Sequence, residues 1–78
     1  MKYPVTAFGI IQALKMAECF CSEYEIAVLA NIDTTSENLR QIKEEMFDFV
    51  ESGSVEFRVK EWQSQTAPLK QLQFRFVS

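Results

Sequence analysis

The chain changes its hydrophobic period once, at Gly53. Upstream of it, Leu39, Ile42, Met46, Phe49 and Val50 recur at helical spacing. Downstream, Val55, Phe57 and Val59 alternate with Glu56, Arg58 and Lys60. After QSQTAP, Leu72, Phe74 and Phe76 alternate with Gln71, Gln73 and Arg75. Period two predicts an antiparallel hairpin with one buried face, with Pro68 holding the loop out of the ladder. A chain with both periods, in that order, is α+β. Its 78 residues give one small domain, 1–78, with one modest core to which every element must contribute an apolar face.

Three helices are predicted before the hairpin. Pro4 fits a helix start, and the first helix is read over about residues 5–19. Its inward face is Ile10, Ala13, Leu14, Ala17 and Cys21, opposite Gln12, Lys15 and Glu18. Phe8 and Ile11 fall on the edge of the polar side, covered by another element or forming a partner or homodimer patch with Phe47. Ser22 and Glu25 have capping-box spacing, which starts a second helix over about residues 23–31. Ile26, Ala27, Leu29 and Ala30 are its expected core. NID is the turn, with Asn31 able to take the left-handed conformation. Thr34 and Glu37 repeat the capping spacing and start the third helix, which Gly53 stops.

Composition narrows the chemistry. There is no histidine, no Gly-rich phosphate loop and no nucleophile motif, so the chain reads as non-enzymatic, without cofactor or metal. Cys19 and Cys21 flank Phe20, and a bridge across one residue is geometrically poor. They read as two thiols in a reducing compartment. The N-terminal stretch is too polar for a signal peptide and nothing is long enough to span a bilayer, so a soluble cytoplasmic protein with no membrane partner is expected. The net charge of −3 is uneven. Residues 1–53 carry four basic and nine acidic groups, and residues 54–78 carry four basic and two acidic ones.

Three helices with a tight second-to-third connection, followed by a hairpin, resemble the winged helix-turn-helix family over nearly the whole chain. The resemblance rests on Ala27 at the helix crossing, NID in the turn, TTSENLRQI as the start of a recognition helix, VESGSVEFRV as its exit into a wing, and QFRFV as the returning strand. Asn31 stands where that family favours Gly, and the stretch from Ala27 to Leu39 is about two residues long for its turn. A fainter likeness is to small phage winged-helix proteins, through FC, Ala27, Asn38 and RF. The resemblance implies a three-helix bundle with a C-terminal β-hairpin wing, and a small transcriptional regulator or DNA-transaction accessory factor that binds double-stranded DNA.

Two sets of residues compete for that role. The DNA-binding set is Thr35, Ser36, Asn38, Arg40, Gln41 and Lys43 at the start of the third helix, with Arg58, Lys60, Trp62 and Lys70 on the hairpin. Amides suit adenine, arginine suits guanine, and hydroxyls and amines suit phosphates. The partner-binding set is Glu37, Glu44, Asp48 and Glu51 on the same helix, with Phe8 and Ile11. Near a duplex these carboxylates oppose the counterion-release term. They suit a basic protein partner, which makes the chain a protein-interaction module, an inhibitor or adaptor from a phage or other mobile element.

Overall fold

The structure is a computed structural model that describes residues 2–63, 66 and 68–77. Its elements run α1 (Ala7–Ala17), β1 (Cys21–Ser22), α2 (Glu23–Leu29), α3 (Ser36–Ser52), β2 (Val55–Gln63) and β3 (Pro68–Phe76). The fold is α+β, with three helices and a three-stranded antiparallel sheet in the order β1-β3-β2.

Helix ends follow local hydrogen-bond chemistry. α1 starts two residues later than the periodicity predicts, because the Thr6 hydroxyl accepts from the Gly9 N–H at 3.0 Å and caps it. It stops at Ala17, where Glu18 takes φ 56°. α2 opens on the expected capping box. Ser22 Oγ accepts from the Glu25 N–H at 3.2 Å, and Glu25 Oε1 accepts from the Ser22 N–H at 3.1 Å.

Thr35, rather than Thr34, caps α3. Its Oγ1 accepts from the Asn38 N–H at 3.2 Å. The Asn38 amide then donates to the Asp33 carbonyl at 3.0 Å, tying the first turn to the preceding loop. The Thr34–Glu37 spacing is therefore present but unused.

α2 and α3 close in the same way. Asn31 at φ 58° lets its own N–H donate to the Val28 carbonyl and the Ile32 N–H donate to that of Ala27. Gly53 at φ 86° does the same with Val50, while Ser54 donates to Phe49. Both are Schellman closures, and each satisfies carbonyls that the helix leaves orphaned.

Ile10, Leu14, Cys21, Ile26, Ala27, Ile32, Ile42, Met46, Val55 and Phe74 form the core. Cys21, expected on the face of the first helix, belongs to β1. Leu29, expected inside, is 54% exposed, since α2 ends on it. Ile32, read as part of a turn, is buried in its stead as the Schellman closure swings the chain inward.

The hairpin register pairs Val55 with Phe76, Phe57 with Phe74 and Val59 with Leu72, so the expected apolar face exists. Only its root is covered. Val55 and Phe74 are buried, but Phe57 is 47% and Val59 49% exposed. Pro68 is not outside the ladder. It opens β3 opposite Gln63, the first-residue position a strand tolerates for proline.

Two short pairings went unread in the sequence. Cys21 faces Phe74, and Ser22 faces Gln73. Gln73, expected on the solvent face, is consequently 6% exposed.

Candidate interaction surfaces

The sheet separates the candidate residues into two faces. Residues directly opposite share a face, and successive residues alternate. Val55, Phe57, Val59 and Glu61 therefore lie on the helix side with Phe76, Phe74, Leu72 and Lys70. Glu56, Arg58, Lys60 and Trp62 lie on the far side with Arg75, Gln73, Gln71 and Leu69. Phe47 of α3 fixes which side is which, meeting Phe57 and Phe74 edge-on at ring separations of 5.7 and 5.6 Å.

The DNA-binding set is thus not one surface. Its α3 members stand on the helix side, and Arg58, Lys60 and Trp62 face away. Lys70, grouped with them from the sequence, sits on the helix side and pairs with Glu61 at 3.4 Å. Both partners are exposed, so that pair contributes little to stability. At the start of α3, the Thr35 hydroxyl and the Asn38 amide are committed to capping and to the Asp33 carbonyl. Gln41 and Lys43 are half-buried, and Lys43 lies close enough to Glu23 to act on its charge. Burial raises the Glu23 carboxyl above its ordinary range, and the Lys43 ammonium partly offsets this. Ser36 and Arg40 are exposed and share a shallow depression with Glu37.

The exposed stripe of α3 is acidic. Glu37, Glu44, Asp48 and Glu51 are all exposed, with Arg40 among them. Phe47, on the flank of that stripe, meets Phe57 of β2 edge-on. Itself 39% exposed, it joins Phe57 and Val59 in an uncovered apolar run. Of the other partner-binding candidates, Phe8 is 74% exposed, whereas Ile11 packs against the core.

The far side of the sheet is cationic and amphipathic. Phe20, in the segment before β1, takes the Arg58 guanidinium over its ring at 4.1 Å and that of Arg75 at 4.7 Å. Arg58 Nε also donates to Gln73 Oε1 at 2.8 Å, and Arg75 pairs with Glu56. Further out, Lys60 is exposed, beside Trp62 and Leu69 at 42% and 45% exposure. Arg75 falls on the solvent face that its strand period predicts, whereas Phe20 was not singled out in the sequence. No period marks Phe20, and only the three-stranded register brings it to Arg58.

The remaining chemistry is quiet. Cys19 is exposed and Cys21 buried, with their sulfurs 4.0 Å apart and both thiols free. Burial, then the hydrogen bond and charge of Cys19 and the charge of Glu25, push the Cys21 thiol up to about 12. Burial in the core and the raised pKa keep this thiol protonated at neutral pH. Among the described residues, no group of three or more His, Cys, Asp or Glu side chains is placed to hold a metal ion. Among them also, no helix is long and apolar enough to cross a membrane.

No family model, no curated protein and no solved structure matches this chain.

Proposed function

We propose that the chain is a non-catalytic binding module on a winged-helix scaffold, and that it binds a protein with a basic surface through the outer stripe of α3. The element order and the β1-β3-β2 sheet support the scaffold. The single observation that carries the function is the pairing of four exposed carboxylates with the uncovered Phe47, Phe57 and Val59. A protein interface wants an apolar centre with a charged rim, and this surface supplies both. A duplex wants the reverse. It presents one negative charge about every 1.7 Å of axis, so a helix inserted there sets its carboxylates against phosphates. Each such pair at about 4 Å costs about 1 kcal/mol in water and up to about 4 near a protein surface. Arg40 does not offset four of them. An inhibitor or adaptor working in a reducing compartment such as the cytoplasm fits this surface and the two free thiols.

A second reading keeps DNA but moves it to the far side of the sheet. It is favoured by the convergence of Arg58 and Arg75 on Phe20, with Lys60 and Trp62 beyond them. Two titrations separate the readings. One follows the anisotropy of a labelled synthetic peptide, alternating lysine with apolar residues, as the chain is added. The other follows the anisotropy of a labelled mixed-sequence duplex at low and moderate salt. The first reading expects peptide binding that Glu44→Gln with Asp48→Asn abolishes. Duplex binding that survives those changes and is lost on Arg58→Gln with Lys60→Gln, without peptide binding, would replace it with the second.

A further inference from the structure

The two surfaces are complementary to each other, and they lie on opposite sides of one small molecule. The outer stripe of α3 is acidic, with Phe47, Phe57 and Val59 along its edge. The far side of the sheet is cationic, with Trp62 and Leu69 exposed at its outer end. Each has an apolar part and a charged part of opposite sign. We propose that the basic partner of the α3 stripe is a second copy of this chain, which presents the far side of its hairpin. This inference rests on the reading of α3 as a protein-binding face and names its occupant.

The geometry sets the kind of assembly. A contact between two different patches is heterologous, so each docked copy leaves one acidic and one cationic surface open. Growth then continues head to tail until a ring closes, instead of stopping at a two-fold dimer. The uneven charge of the sequence acquires a role here. The surplus of acid in residues 1–53 and of base in residues 54–78 gives every copy a donor end and an acceptor end. Phe20 prepares the acceptor end. Holding Arg58 and Arg75 against one ring reduces the side-chain freedom they lose on docking. Because both surfaces are exposed, the attraction is screened over a Debye length of about 10 Å at 0.1 M salt, so assembly is strongest at low ionic strength.

Sedimentation of the full chain across a concentration series, at low and at moderate salt, tests this. The expected result is salt-sensitive growth beyond a dimer. Glu44→Gln with Asp48→Asn should weaken it by about tenfold or more, as should Arg58→Gln with Lys60→Gln. Mixing those two variants should restore a complex that stops at one copy of each, since each retains the surface the other lacks. Lys60→Gln alone repeats the second arm without disturbing the Phe20 stack. A chain that stays monomeric at low salt into the high-micromolar range overturns the proposal, as does a two-fold dimer indifferent to both variants. The lysine-rich peptide described above separates this failure from the broader one. A monomer that still takes up the peptide through Glu44 and Asp48 sinks self-docking alone; a monomer that ignores the peptide sinks both.

Discussion

Arg58 and Gln73 face each other across the hairpin, and the arginine Nε donates to the amide oxygen at 2.8 Å. The other end of that amide donates to Gln71 Oε1 at 3.0 Å. Gln73 is thus a buried polar side chain with both ends used, beneath the short strand that carries Ser22. It joins the root of the sheet to the cationic surface.

Truncating that amide removes a partner from Arg58 and from Gln71. Gln73→Ala should cost about 0.5–1.5 kcal/mol per bond lost in urea unfolding, the usual net worth of a protein hydrogen bond, since Arg58 and Gln71 can turn to water. Gln71→Ala, at a half-buried position, should cost less.

The two threonines before α3 offer a test of which one caps it. Thr35→Ala should lower stability by about 1 kcal/mol, the usual loss for a cap hydroxyl. Thr34→Ala should be nearly silent. The opposite ranking in thermal or urea melts would return the cap to Thr34.

Glu23 has a raised carboxyl, so its contribution to folding runs opposite to the common acidic case. Protonation favours the folded state here. The group's penalty is present above its folded pKa and is relieved as pH falls through it. Replacing Lys43 by Met removes the ammonium that opposes the shift, so the Glu23 carboxyl should titrate higher still. Side-chain carboxyl shifts in an NMR pH series read this directly.

Thiol reactivity should divide sharply. Cys19, exposed, should alkylate first at pH 8. Cys21, buried with its thiol pushed up to about 12, should react only when the chain unfolds. Mass spectrometry after brief iodoacetamide treatment would show one adduct. Rapid double labelling would mean that β1 opens readily.

Much of the fold was legible because its signals are local. Ser22 and Glu25, the stripe of α3, Asn31 and Gly53 each act within a few residues of themselves. What depended on distant chain was not. A strand of two residues is too short to show a period, so β1 could not be read, and the burial of Gln73 went unread with it. Alternation located the apolar face of the hairpin but carries no information on how much of that face is covered. Phe57 and Val59 therefore looked like core and are surface. The helical period placed Glu37, Glu44, Asp48 and Glu51 outside, where they are exposed, but also Gln41, which is half-buried. The separation of this acidic stripe from Arg58, Lys60 and Trp62 required the register of three strands.

α3 is fastened at both ends by capping hydrogen bonds, through the Thr35 hydroxyl and the closure at Gly53. Its inner face is set by Ile42 and Met46. None of these anchors involves Glu37, Arg40, Glu44, Asp48 or Glu51. The outer side of the helix can thus be rewritten by mutation with little penalty to folding. A lineage carrying this chain can change the charge it presents there one side chain at a time, while the scaffold beneath it stays the same.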